Sequence, residues 1–525
     1  MSLSLASGVC RYGAKQPERL ALCADGRRLT YGELARLARK IAAALRESGV
    51  QPGGRVGILA SRSIDACAGV LGASWAGATY VPISLKSPEK RLLHVLDLSG
   101  VSALLADSTG AKLLSERVLA AGPRLILVPD ADTARALSLR IDKQIRAVST
   151  LADTDELAEP VPVRAEDLAY VMFTSGTTGV PKGVMVSVGS VHHFLTVMQE
   201  RYGLTPEDRV GEPMELSFDL SVFNMFMAWK TGASLHVVPS THVMAPGKFI
   251  RENGVTVWLS VPSVIAMMKR VKALKPGSLP SLRYSLFCGE PLPAAAVQSW
   301  REAAPNSVID NLYGPTEATV ACLHERVTED PLITPEREVI SIGEPLDGME
   351  ACIVDFDLHV LEPGQAGELA VAGPQLATGY LGAPELSTAR FPMIAGKRWY
   401  LTGDLAYADA AGKFHHLGRI DNQVKVLGYR VELEEIEAHL RHVAETELVA
   451  AVAWPVSHGT AEGIVGFVAG RQIVPGEIRD ALKQRVPSYM VPASIRAIDS
   501  LPLTANGKVD RKALGALLDG DRPPT

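Results

Sequence analysis

From Thr30 to about residue 150, short apolar runs alternate with amphipathic ones, and few folds tolerate that pattern. Thr30-Tyr-Gly-Glu33 has the form of a capping box, in which the threonine side chain and the glutamate three residues on satisfy a helix's first donors. The spacing predicts a helix behind it with Leu34, Leu37, Ala38, Ile41 and Leu45 on one face, closing at Ser48-Gly49. Residues 55–60 then read as a strand, 64–76 as a helix and 77–82 as a strand. Strands joined through helices run parallel, so a helix-covered parallel sheet is expected. A second alternating series, with strands near 234–238, 255–258 and 284–287, predicts another doubly wound unit packed on the first. Short strands split by Gly-Gln-Ala-Gly between Gly348 and Gly373 predict a small β-barrel. Beyond Gly418, a helix presenting Leu433, Ile436 and Leu440, strands at 448–452 and 464–468, and a helix around Ile478 and Leu482 predict a compact α+β unit of about 100 residues. The expected fold class is thus α/β: a large N-terminal domain of two doubly wound sheets plus the barrel, over 1–420, and a small α+β C-terminal domain over 421–525.

Composition narrows the functional classes. A length of 525 residues calls for at least two cores. A net charge of -5 from nearly balanced acids and bases gives no reason to expect nucleic acid or an anionic membrane as partner. The six cysteines lack metal-ligand or redox spacing and are expected to be buried thiols in a reducing compartment. The N-terminus has no signal-peptide pattern, no apolar run approaches the length of a membrane span, and the C-terminus is not a peroxisomal tripeptide, so a cytoplasmic location is expected.

The first candidate for chemistry is the loop after the apolar run 168–172. Thr174-Ser-Gly-Thr-Thr-Gly179 consists only of glycines and hydroxyl residues, and Pro181-Lys182-Gly183 follows. Such a loop offers backbone N–H groups, hydroxyls and one positive charge to a polyphosphate. A shorter run would read as a solvated turn. It is not a Walker loop, because Lys182 lies between Pro181 and Gly183 and no hydroxyl follows it. The stretch resembles the phosphate loop of the adenylate-forming superfamily, which includes acyl-CoA synthetases, luciferases and the adenylation domains of nonribosomal peptide synthetases. The resemblance implies that Thr174, Ser175, Gly176, Thr177, Thr178 and Lys182 handle the β and γ phosphates of ATP.

Other segments carry the same resemblance. In Asn311-Leu-Tyr-Gly-Pro-Thr-Glu-Ala318 the Gly-Pro pair forces a turn. The family implies Tyr313 on adenine, Thr316 beside the α-phosphate and Glu317 on Mg2+, with Asn311 and Gly314 in the same ATP site; Gly289 and Glu290 belong there too. Asp404, in Tyr400-Leu-Thr-Gly-Asp404, is expected to accept the ribose hydroxyls. In Gly418-Arg-Ile-Asp-Asn-Gln-Val-Lys-Val-Leu-Gly428, Arg419 is expected to reach the nucleotide and Asp421 to be the hinge of a mobile C-terminal domain. Leu427 stands where the family commonly has arginine, which puts a polar contact near the thiol channel in doubt. Gly367-Glu-Leu-Ala-Val-Ala-Gly373 with Gly379-Tyr380 is family-like and expected to be structural. Leu501-Pro-Leu-Thr-Ala-Asn-Gly-Lys-Val-Asp-Arg511 places Lys508 on an Asn-Gly turn, and the resemblance makes Lys508 the catalytic lysine.

Phe218-Asp-Leu-Ser-Val-Phe223 separates the subfamilies. Where amino acids are activated, the aspartate here pairs with the substrate ammonium. Asp219 has apolar neighbours on both sides, so burial is expected, and a buried carboxylate needs a cation. The remaining pocket positions implied by the family are Leu220, Phe223, Leu259, Leu286, Cys288, Leu312, Val320 and Ala321. None could partner a polar side chain, which unpaired would lose about 1–3 kcal/mol, so a small or medium apolar amino acid is expected. Ser285–Pro293, Asn311–Pro315 and Asp219-Leu220 are most similar to stand-alone enzymes that load L-proline onto a carrier protein. Eleven residues follow Leu514, so the phosphopantetheine thiol is expected to come from a separate carrier protein. Two alternatives stand beside this reading. An acyl- or aryl-CoA ligase would use free coenzyme A as acceptor. A catalytically silent nucleotide- or carrier-binding copy would be free to lose Lys182, Glu317, Asp404 and Lys508, all of which are present.

Overall fold

The computed structural model describes residues 3–153, 157–176, 181–243, 245–335, 337–426, 428–503 and 509–520. The chain divides into two compact units. The first comprises residues 1–85, 95–173 and 183–417; the second comprises 86–94, 174–182 and 418–525. The second unit thus draws two short stretches from before the boundary expected at 420.

In the first unit, Thr30 and Glu33 form the capping box: Glu33 N–H donates to Thr30 Oγ1 at 3.3 Å and Thr30 N–H to Glu33 Oε2 at 2.8 Å. The helix Tyr31–Glu47 buries Leu34, Ala38, Ile41 and Leu45, with Leu37 half-buried beside them. Behind it the helix Ile64–Trp75 is buried on all sides, as an apolar run without a polar stripe requires. The two pack closely at Gly72, where a Cβ would come within 2.4 Å of Ile41 Cγ2.

Two large sheets form the body of this unit. The eight-stranded sheet runs in the order Gly379–Tyr380, Lys182–Ser187, Leu168–Thr174, Thr79–Pro82, Arg55–Leu59, Ala103–Ala106, Leu125–Val128, Gln144–Ala147. Its strands from residue 55 to 147 pair in parallel, as the helix-linked pattern predicts. The nine-stranded sheet has a parallel centre: Val308–Tyr313, Tyr284–Phe287, Val257–Ser260, Arg209–Glu212 and Ser234–Val237. One strand departs from the expected order. Leu20–Ala24 pairs in parallel with Ser234–Val237, Leu22 opposite Leu235, so the chain begins in the second sheet before building the first. Of the strands expected to build a small barrel, Glu350–Val354 and Gly367–Ala372 pair antiparallel and join Tyr400–Ala408 and Phe414–Arg419 in a four-stranded sheet.

The second unit has a three-stranded sheet, Val449–Ala453, Ile464–Ala469 and Ser494–Ile498. It also has a four-stranded one in the order Tyr429–Glu432, Gln423–Val426, Thr460–Ala461, Val456–Ser457. Helix Leu433–Ala444 buries Leu433, Ile436 and Leu440, and helix Pro475–Lys483 buries Ile478 and Leu482, the residues their spacing selects. Among the described residues no helix is long and apolar enough to cross a membrane. Cys67, Cys288 and Cys322 are buried, whereas Cys10, Cys23 and Cys352 are only half-buried, which corrects the expectation for those three; none of the six is in a disulfide.

Candidate active site

In parallel strands residues in register share a face, and side chains recur on it every second residue. Leu259 is in register with Leu286, and Leu286 with Asp310. Leu259, Leu286, Cys288 and Leu312 therefore gather on one face of the nine-stranded sheet, at the carboxyl ends of its strands, where open α/β sheets bind ligands. All four are buried, as are Leu220, Phe223, Val320 and Ala321. Phe223 meets Phe194 of the helix Val188–Tyr202 edge-on, with ring centroids 6.2 Å apart.

Asp219 is 7% exposed, in keeping with its apolar flanks. It is the N-cap residue of the helix Leu220–Thr231, yet its side chain makes no capping hydrogen bond. An aspartate there ordinarily accepts from the first turn. Burial first, and then the Asp219 charge, push the phenols of Tyr80 and Tyr170 well above their ordinary value. Those two rings stand 5.5 Å apart on the eight-stranded sheet.

The nucleotide candidates are fastened individually. Asn311 Nδ2 donates to Ser341 O at 2.8 Å, and Glu290 Oε2 accepts from Ser263 N–H at 2.8 Å. Gly289 is left-handed, with φ 89°. Gly314 faces the backbone of Ala321 so closely that a Cβ would lie 2.6 Å from its Cα, which leaves glycine alone there. Thr316 opens the short 3-10 turn Thr316–Ala318, in which Glu317 is wholly buried. Glu317 Oε1 accepts from Tyr380 Oη at 2.8 Å, and Glu317 O from Ala377 N–H at 2.8 Å. Tyr380, expected to be structural, thus touches the carboxylate proposed for the metal.

Asp404 is buried and engaged at both oxygens. Tyr313 Oη donates to Oδ2, and His416 Nε2 lies 3.2 Å from Oδ1. Arg337 Nη1 donates to His416 Nδ1 at 2.7 Å, so the proton of a neutral His416 sits on Nε2 and faces the carboxylate. Burial and the Asp404 charge together push the Tyr313 phenol well up. Neither Arg337 nor His416 is part of the predicted site. His416 stands only two residues before Gly418-Arg419, and that proximity is the one signal for it in the sequence.

In the second unit the phosphate-loop residues meet carboxylates. Lys182 Nζ lies 3.3 Å from Glu432 Oε1, Gly176 N–H donates to Glu435 Oε2 at 3.1 Å, and Ser175 Oγ donates to Arg430 O at 2.8 Å. Thr174 ends the strand Leu168–Thr174. Arg419 makes a bidentate pair with Asp421, Nε to Oδ1 at 2.9 Å and Nη2 to Oδ2 at 2.7 Å. Burial would raise the pKa of Asp421, but the hydrogen bonds and charge of Arg419 outweigh it and hold the carboxyl below its ordinary range. Thr177, Thr178, Leu427 and Lys508 lie outside the described residues.

A doubly wound α/β body with buried acidic and apolar side chains at its strand ends, followed by a small α+β unit, suits a class of nucleotide-handling proteins. The chain belongs to the AMP-binding enzyme family: that family's model matches residues 10–381, and the model of its C-terminal domain matches residues 433–508. It is 35% identical over 507 residues to tyrocidine synthase 2 of Brevibacillus parabrevis, covering 95% of this chain and 13% of that one. It is 33% identical to tyrocidine synthase 1 of the same organism, with 95% and 43% covered. The chain therefore spans less than half the length of either relative. Among solved structures it is similar to the Vibrio cholerae adenylation domain AlmE in complex with glycyl-adenosine-5'-phosphate, with 32% identity, a TM-score of 0.90, and 99% and 98% of the two chains covered.

Proposed function

We propose that this protein activates an amino acid with ATP, L-proline before others, and passes it to the phosphopantetheine thiol of a separate carrier protein. The observation that carries this reading is Asp219, a buried carboxylate at a helix N-cap that does no capping, with an apolar set of side chains around it. A substrate ammonium answers that arrangement better than a fatty or aryl acid does. AlmE's capture with glycyl-adenosine-5'-phosphate supports an aminoacyl-adenylate as product of the first step.

In that step a substrate carboxylate oxygen attacks the α-phosphorus of ATP, the bond to the β-phosphate bridging oxygen breaks, and pyrophosphate leaves. No general base is required, because the carboxylate is already ionised at neutral pH. Asp219 anchors the ammonium, Tyr313 supports adenine, and Asp404, fixed at both oxygens by Tyr313 and His416, accepts the ribose hydroxyls. Thr316 stands beside the α-phosphate. The loop from Thr174 through Lys182 receives the departing phosphates in place of the carboxylates Glu432 and Glu435. Lys508 clamps the charge that develops between carboxylate and phosphate. Glu317 offers a hard oxygen donor of the kind that suits Mg2+; an ion held there would neutralise polyphosphate charge. In the second step the carrier thiol attacks the acyl carbon and AMP departs, with Asp421 as the hinge between steps.

The test is ATP–pyrophosphate exchange measured across the amino acids. Proline is expected to support the fastest exchange, since each ring methylene lost from the substrate forfeits about 1–3 kcal/mol in an apolar pocket. Glycine, alanine, valine or a β-amino acid exceeding proline by about tenfold would overturn proline and keep amino-acid activation. Exchange with an aryl or fatty acid alone would overturn the role of Asp219.

A further inference from the structure

The turn after Glu317 is held in a shape its own residues disfavour. Thr319 and Val320 are consecutive left-handed residues, with φ 56° and 70°. Both are β-branched and wholly buried, and such residues avoid this region because their branched side chains crowd the backbone. Strain of this kind persists only where the surroundings over-determine the conformation.

One residue outside every predicted motif contributes three of the hydrogen bonds that hold it. Gln375 is itself wholly buried. Its Nε2 donates to Ala321 O at 2.7 Å and to Ala318 O at 3.2 Å, spanning the strained pair from both sides. Its backbone carbonyl accepts from the Thr319 hydroxyl at 2.6 Å. The orientation of the amide is set from behind, where His193 Nδ1 lies 3.2 Å from Gln375 Oε1. With Nδ1–H donating, the oxygen faces the histidine and both amide protons face the turn. The Cys288 thiol donates to Val320 O at 3.7 Å and closes the remaining carbonyl. An apolar side chain at 375 could fill the same volume, but it would leave two buried carbonyls without their donor.

We propose that Gln375, oriented by His193, is a positioning residue that sets the wall of the amino-acid pocket, by holding the Thr319–Val320 turn so that Val320 and Ala321 bound the substrate side chain. The inference rests on the functional reading above, in which those residues line the pocket. It makes side-chain selectivity depend on a residue that the substrate does not touch.

The test compares the full-length protein with Gln375→Met, which keeps the length and removes the hydrogen bonds. The KM for proline in pyrophosphate exchange is expected to rise about tenfold or more, and by a larger factor than the KM for ATP. The ratio of leucine to proline exchange is expected to increase as the wall relaxes. A merely structural role would lower stability and activity together and leave that ratio unchanged. Should Gln375→Met fail to fold, His193→Ala decides: it leaves the glutamine in place but lets its amide turn, and a smaller shift in the same ratio is expected. An unchanged leucine-to-proline ratio in the variant that folds overturns the proposal. Absence of amino-acid-dependent exchange in the parent protein would overturn the functional reading and this inference with it, and it is seen before either variant is compared.

Discussion

Glu212, at the end of the strand Arg209–Glu212, shows how much a single buried group can weigh in this chain. Its Oε1 accepts from Met214 N–H at 2.6 Å and Asn224 Nδ2 at 3.3 Å, and among the described residues Oε2 has no hydrogen-bond partner. Burial, opposed by those two hydrogen bonds, pushes its pKa from 4.5 up to about 8. The folded state therefore keeps a proton that the unfolded chain gives up between those values, and stability falls as pH rises through that window. Glu212→Gln reproduces the protonated shape without the charge. We expect it to exceed the parent in stability by roughly 2–4 kcal/mol near pH 8 and to converge with it toward pH 4.5, measured by denaturant unfolding. A difference that does not vary with pH would rule out the protonated form as the cause. The burial of Asp219 was legible because its immediate neighbours are apolar. The Arg337–His416–Asp404 chain was not, since Arg337 and His416 stand 79 residues apart and meet only through folding.

Among the elements, those with a local cause were read most securely. The helix Tyr31–Glu47 begins where the capping box says it must, because both partners of each hydrogen bond lie within four residues. Removing the threonine oxygen should cost about 1 kcal/mol. Thr30→Ala is accordingly expected to lower the thermal midpoint of the first unit by a degree or more while leaving pyrophosphate exchange unchanged at 25 °C; an unaltered midpoint would show that tertiary packing alone fixes this helix start. The strand Leu20–Ala24 looks like any other apolar run, and its pairing with Ser234–Val237 depends on a partner more than two hundred residues away. The same holds for the four-stranded sheet that carries Asp404. Alternation in Gly367–Ala372 and its neighbours announces antiparallel strands, but how far such strands curl, and whether they close, is set by twist and by what packs on them.

At the scale of the whole molecule the proposed function asks two kinds of chemistry of one chain, adenylate formation and thiol transfer, and the chain divides into two compact units. If Lys508 acts only as a charge clamp in the first, Lys508→Ala should abolish pyrophosphate exchange while thioester formation from supplied prolyl-adenylate stays largely intact; near-normal exchange by the variant would remove the lysine from that role. The sequence by itself determined the alternation that demands helix-covered parallel sheets, the helix starts with local caps, the segments that resemble an adenylate-forming enzyme, and the burial of Asp219. Each of these rests on residues close together in the chain, where covalent geometry already limits what neighbours can do. Tertiary structure alone decided that the chain opens in its second sheet, that Arg337 and His416 orient Asp404, that Tyr380 meets Glu317, and that Gln375 holds Thr319 and Val320 left-handed. Those arrangements join residues from distant segments, and only packing the sheets and helices against one another brings their polar atoms within hydrogen-bonding distance.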